Sequence, residues 1–287
     1  MELTRTPAGW RSISGRRATN QDAVVTGRLT DGRELVAIAD GMGGHQGGEI
    51  ASQHALETLI ASLEAGRTLR EGFADANAAV YQAAQQNPAW TGMGTTLVAL
   101  LRSGHRYQIA NVGDSRAYCV SDDGISQITH DHSFLAEALR DRRMSVEEAR
   151  SSRWRNALTR AIGSEPEIEI DTFGPYDVQQ CHTIVLCSDG LHGSLTDDVM
   201  LRCLQQNADV WDAAARLADE AFEQGSKDNI SVAVVSFAER AEVQPSAPPA
   251  VRHDPPAVRH NPRPFQLIFA PERTEPSLLK RFFTLFT

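Results

Sequence analysis

The sequence predicts an α+β fold. Three observations carry that expectation. Strand signals and helix signals come in blocks rather than in alternation. The turn pairs Asp31-Gly32, Ser103-Gly104 and Asp123-Gly124 separate short apolar runs, which makes neighbouring strands antiparallel. Two stretches of helical apolar spacing follow one another directly. The chain of 287 residues, 41% hydrophobic and 23% charged, has ordinary globular usage and the length of one large domain or two small ones.

In chain order, 23–26 and 34–39 read as strands joined through Asp31-Gly32. Ala55, Leu56, Leu59, Ile60 and Leu63 then form one helical stripe, and Leu69, Phe73, Ala76, Val80 and Ala83 a second. Strand signals resume at 95–101, 107–111, 117–120 and 125–129. An irregular helical insert spans 131–158, with a capping box at Ser145 and Glu148. A strand at 183–187, helices near 197–205 and 210–223, and a strand at 230–237 complete the domain. Two sheets packed face to face with helix pairs outside would bury all these stripes.

The globular part is expected to occupy 1–240. Residues 241–264 are dense in proline and repeat PPAVRH, the composition of an extended, polyproline-like linker. The tail, 265–287, carries apolar patches at 265–269 and 278–286. In the second, Leu279, Phe282, Phe283 and Phe286 share one helical face beside Lys280 and Arg281. Such a tail either folds back on its own domain or docks a partner or a membrane surface.

Net charge is −9, and the excess is concentrated outside the tail. An acidic domain repels nucleic-acid phosphates and anionic lipid, so no nucleic-acid partner is expected. No apolar run approaches the about 18 residues of a membrane span, and the N-terminus lacks the apolar centre of a secretory signal. Cys119, Cys181, Cys187 and Cys203 form no C-x-x-C pair. These features predict a cytoplasmic protein with no transmembrane segment and with reduced core thiols.

Four carboxylates stand out by position. Asp40 ends the apolar run VAIAD and is followed by Gly-Met-Gly-Gly; Asp189 ends TIVLCSD and is followed by glycine; Asp228, with Asn229, precedes ISVAVV; Asp22 closes Arg17-Ala-Thr-Asn-Gln-Asp. Any one Asp-Gly is a common turn pair. Together they describe strand-end carboxylates held by a rigid sheet, with glycines that let backbone approach a ligand closely. Such carboxylates repel unless a cation compensates. Oxygen ligands without nearby Cys or paired His favour Mg²⁺ or Mn²⁺ over Zn²⁺. The chemistry on offer is water activation and the clamping of a phosphoryl group.

The series RATNQD, VAIADGMGGH, MGTTLVAL, NVGDSRAY, THDHS, LTRAIG, VLCSDGL and KDNISVAVV resembles, in order and spacing, the bacterial metal-dependent type 2C (PPM) serine/threonine protein phosphatases. The likeness runs from about residue 15 to residue 235. It implies an α-β-β-α sandwich of two antiparallel sheets flanked by helix pairs. It also implies two core Mn²⁺ or Mg²⁺ ions and a third, weaker ion. By motif position Asp40 bridges the core metals, Asp22 and the Gly41 carbonyl bind one, and Asp189 and Asp228 bind the other. Asp114, with Asp189, matches the third-metal position, and Arg17 matches the phosphate-binding arginine. The resemblance further implies phosphorylated protein substrates and a serine/threonine kinase acting on the same targets.

The chain departs from the pattern in places. Met42 stands where some members carry a histidine that is a candidate general acid; His45 lies nearby. Gln21 replaces a glutamate and retains only a hydrogen-bonding role. His132, in a loop, reads as a cap or a surface residue. Other phosphoryl and acyl chemistries lack their signatures: no cysteine begins Cys-x5-Arg, neither Lys227 nor Lys280 follows glycine as a P-loop requires, and there is no Gly-x-Ser-x-Gly. The rival function is a catalytically silent scaffold that binds a kinase or a phosphoprotein, and such proteins are expected to have lost metal ligands. A purely structural cation site would have no use for Arg17. The arginines of the insert (Arg140, Arg142, Arg143, Arg150, Arg153, Arg155) form either a solvated face or a surface for acidic phosphopeptides.

Overall fold

The computed structural model describes residues 8–43, 47–142, 144, 148, 157–207 and 209–237, and the backbone of 265–268. The first sheet has the order β1 (Ala8–Ile13), β11 (Ile230–Ser236), β10 (Thr183–Cys187), β7 (Arg116–Ser121), β8 (Gly124–Gln127). The second has the order β12 (Phe265–Ile268), β2 (Asp22–Arg28), β3 (Glu34–Met42), β5 (Leu97–Ser103), β6 (Arg106–Val112), β9 (Asp171–Asp177), with β4 (Gly94–Thr95) on the end of β3. Every pairing is antiparallel.

The sheets stack, and helices cover both outer faces. Strand side chains alternate between faces. In β3, Val36 and Ile38 meet Val98, Leu100, Ile184, Leu186 and Val235 between the sheets. Leu35, Ala37 and Ala39 point the other way, onto Leu56, Leu59, Leu63 and Phe73 of α1 (Gly47–Glu64) and α2 (Leu69–Gln86). Val185, Val232 and Val234 pack outward on Ala214, Leu217 and Ala218 of α6 (Val210–Glu223) and Met200 of α5 (Asp197–Gln206). Coverage on both faces explains why these antiparallel strands read as unbroken apolar runs. The helix starts are specified locally: Thr68 and Glu71 form a reciprocal capping box on α2, and Asp209 accepts from the Trp211 N–H at α6.

The α+β expectation and its sandwich layers hold. Three strands carried no sequence signal. AGWRSI (β1) lacks alternation and exists because it pairs along its whole length with β11. DTFGPYD (β9) contains a Gly-Pro pair, and its register shifts between Tyr107 and Ile109. β12 pairs antiparallel with β2, so the first tail patch extends the domain's own sheet. The capping box at Ser145, the linker 241–264 and the second tail patch lie outside the described residues. Of the insert, α3 (Phe134–Arg140) is described, capped by Ser133.

The cysteine expectation fails. Cys119 and Cys181 form a disulfide across 62 residues, and only Cys187 and Cys203 are free thiols. The pairing of β7 with β10 sets Cys119 opposite Ile184, and the turn into β10 returns Cys181 to a Cα separation of 5.6 Å, within disulfide reach. No helix among the described residues is long and apolar enough to cross a membrane.

Candidate active site

The strand-end carboxylates come together at one end of the sandwich. Asp22 opens β2 and is the register partner of Asp40 near the end of β3. The Asp40 backbone is fully engaged: its N–H donates to Thr96 Oγ1 (3.0 Å), and its carbonyl accepts from Thr96 N–H and Thr95 Oγ1 (2.9 Å each). Its side chain projects from a fixed support. Asp22 is 6% exposed; its Oδ2 accepts from Ser188 Oγ at 2.9 Å. Ser188 in turn receives the Ser231 N–H, and Ser231 Oγ meets Ser12 Oγ at 2.8 Å. A chain of hydroxyls under the site therefore orients Asp22.

Asp189 begins α4 (Asp189–His192), directly after β10. Asp228 sits before β11 and pairs with Arg17, Nη2 to Oδ2 at 2.7 Å, while Arg17 Nε donates to the Lys227 carbonyl. Asn229 pins the loop that carries Arg17 and Asp22. Its Oδ1 accepts from Gln21 N–H, and its Nδ2 donates to the Ser14 and Thr19 carbonyls. Asp114 lies in the β6–β7 turn, and its carbonyl accepts from His192 Nε2 at 2.9 Å.

The glycines after the aspartates have a different purpose from the one the sequence suggests. A Cβ on Gly41 would stand 2.0 Å from the Gly48 carbonyl oxygen, and one on Gly190 would stand 1.9 Å from the Asn229 carbonyl oxygen. They allow two backbones to cross at the site, which holds the aspartates together.

Electrostatically the cluster is under strain. Burial raises the Asp40 carboxyl well above its ordinary range, and the charges of Asp22, Asp189, Asp114 and Asp228 raise it further. Burial pushes Asp22 up to about 7 against the opposing effect of the serine hydroxyls, and pushes Asp114 up to about 7 with the charge of Asp189 adding to it. Asp189 is raised by burial and by Asp228. Buried oxygens Asp22 Oδ1 and Asp189 Oδ1 have no hydrogen-bond partner. Among the described residues no three side chains of His, Cys, Asp or Glu form a ready-made metal cage. Arg17 engages Asp228. The two orphaned oxygens, the all-oxygen donor set and the crossing at Gly41 fit hard divalent cations.

His132 is not a surface residue. It is fully buried, its Nδ1 accepts from Gly113 N–H at 3.1 Å, and its Nε2 lies 3.2 Å from Asp171 Oδ2. Burial lowers its pKa, with the Arg160 charge acting in the same direction. Gln21 contributes its carbonyl to Gly41 N–H and Ser52 Oγ, with its side chain against Gly48. Met42 packs beside Gly94. Arg140 and Arg142 are exposed; His45, Arg143, Arg150, Arg153 and Arg155 lie outside the described residues. Sequence reasoning missed Ser188, Ser231, Asn229 as a loop clamp, and His192; only Asn229, beside Asp228, carried a signal.

The protein phosphatase 2C family model matches residues 11–230. The serine/threonine phosphatase stp of Listeria welshimeri is 34% identical over 239 residues, covering 79% of this chain and 94% of that protein. The crystal structure of the serine/threonine phosphatase Stp1 from Staphylococcus aureus superposes with a TM-score of 0.77 at 32% identity, over 83% of this chain and 98% of that one. The Mycobacterium tuberculosis serine/threonine phosphatase PstP/Ppp gives 0.69 at 33% identity, over 82% and 99%. With this sandwich and this cluster of carboxylates, the chain belongs to the protein phosphatase 2C family of serine/threonine phosphatases.

Proposed function

We propose that this phosphatase removes phosphate from phosphoserine and phosphothreonine on proteins with a dinuclear Mn²⁺ or Mg²⁺ centre. The observation that carries this reading is the pair of buried, partnerless oxygens, Asp22 Oδ1 and Asp189 Oδ1, in the carboxylate cluster that also holds Asp40 and Asp228. Asp40, Asp22 and the Gly41 carbonyl, with Asp189 and Asp228, would hold the two core ions, and Asp114 with Asp189 would hold a third, weaker one. Bound there, divalent ions supply a water acidified enough to attack phosphorus near neutral pH.

The chain's own residues bind and orient. The Arg17 guanidinium can engage two phosphate oxygens at once and offset charge that builds on them in an in-line displacement. The Arg17 fork lies beside Asp228, Nη2 to Oδ2 at 2.7 Å, which keeps it at the carboxylate cluster. The Met42 thioether has no proton to give, so it is not the acid that protonates the leaving oxygen.

A serine/threonine kinase acting on the same proteins is the natural counterpart, and 278–286 of the tail is the segment for docking such a partner. A cytoplasmic setting belongs to the same reading. The Cys119–Cys181 bond argues the other way, and thiol counting on freshly lysed cells decides it. A silent scaffold is disfavoured because every carboxylate of the motif series is present.

The test is hydrolysis of an aryl phosphate and of a phosphothreonine peptide with Mn²⁺, with Mg²⁺ and with EDTA, beside Asp40→Asn and Asp189→Asn. Metal-dependent turnover lost in both variants is the expected result. A folded protein that takes up Mn²⁺ yet turns over neither substrate would sink the catalytic reading in favour of the scaffold.

A further inference from the structure

His192 is a half-buried histidine that the phosphatase chemistry leaves unused. It is the last residue of α4, whose first residue is Asp189. Its Nε2 lies 2.9 Å from the Asp114 carbonyl oxygen. A carbonyl only accepts, so Nε2 carries the proton. One helical turn and one hydrogen bond thus connect the two carboxylates at the proposed third-metal position.

The rest of the Gly113–Asp114 turn is already held. Gly113 N–H donates to His132 Nδ1, and the Gly113 carbonyl accepts from His132 N–H (3.0 Å) and Asn111 Nδ2 (3.2 Å). Gly113 has φ of +103°, and a Cβ there would stand 2.6 Å from Thr96 Cγ2. The pairing of β7 with β10 sets Arg116 opposite Cys187, and the bond from His192 adds a second tie, directly between this turn and α4. Asp114 and Asp189 carry like charge, so the pair pushes apart unless a cation lies between them. A donor on the Asp114 carbonyl opposes that separation.

We infer that His192 is a positioning residue: it fixes the spacing of Asp114 and Asp189 and thereby sets the affinity of the chain for a third, weak divalent cation. The inference rests on the metal reading above and concerns a residue that the motif series does not include.

The test is calorimetric titration of the chelator-stripped full chain with Mn²⁺. Asp114→Asn identifies the weak phase by removing it. His192→Leu keeps volume and removes the donor; it should weaken that phase about fivefold to tenfold, a neutral hydrogen bond's worth, and leave the tight phase unchanged. His192→Gln puts an amide N–H at the reach of Nε2 and should restore wild-type affinity. A weak phase in folded His192→Leu equal to wild type would overturn the assignment and leave His192 as packing. Should the leucine variant not fold, His192→Asn, one carbon shorter than Gln, takes its place: loss of the weak phase in Asn but not in Gln supports the role, and equal retention in both overturns it. Failure of the wild-type chain to bind any Mn²⁺ would overturn the metal reading itself, a result distinct from a defect confined to the weak phase.

Discussion

Asp22→Asn should make the metal-free protein more stable at neutral pH while abolishing its activity. Asp22 ionises at 3.8 when exposed and at about 7 in the fold, mainly because of burial. A carboxyl with a raised folded pKa binds its proton more readily in the native state. Its contribution is complete below the unfolded value and is lost as pH rises through the folded one. Between pH 4 and 7 the stripped protein therefore loses stability, by roughly 4 kcal/mol from this group as an upper bound. Asparagine carries no charge to desolvate, and its amide oxygen can still accept from Ser188. Its NH₂ has no evident acceptor, which returns about 1–3 kcal/mol. The net gain at pH 8 is about 1–3 kcal/mol, or roughly 5 °C in Tm for a domain of this size.

The assay is thermal melting in EDTA at pH 4.5 and pH 8, with and without Mn²⁺. The variant should melt above wild type at pH 8 and level with or below it at pH 4.5. Saturating Mn²⁺ should reverse the order at pH 8, since ligand binding stabilises only the chain that holds it. A variant less stable than wild type at pH 8 in EDTA would refute the argument that these carboxylates repel in wait for a cation.

Gly190→Ala brings its methyl group onto the Asn229 carbonyl, a clash with backbone that no rotamer relieves; it should cost about 3 kcal/mol or more and show as a lowered denaturation midpoint. Reduction of Cys119–Cys181 opens a 62-residue loop and should cost about 4 kcal/mol on the chain-entropy account, with four titratable thiols replacing two. Removal of 265–287 uncovers the β2 edge but leaves the carboxylates in place, so aryl phosphate turnover should persist while capture of a cognate kinase falls. An equal loss of turnover would mean that the tail supports the site.

What the sequence made legible, and what it did not, divides along a physical line. Asp40 and Asp189 were legible because each closes an apolar run of strand length and is followed by glycine, although the backbone crossing that requires those glycines shows only in the fold. The paired stripes of α1 and α2 were legible because helical spacing is local. β1, the disulfide and the serine chain under Asp22 were not, since each depends on which strand lies next to which. AGWRSI becomes a strand only against β11, and Cys119 meets Cys181 only because β7 lies beside β10. His192 belongs to the same class. Two positions past Asp189-Gly190 nothing marks it in the sequence, and its partner is a carbonyl 78 residues away. In this phosphatase the carboxylates face the chemistry and can be read from their own neighbours in sequence. The groups that hold those carboxylates in place against their mutual repulsion are contributed by other strands and turns, and only the folded topology brings them together.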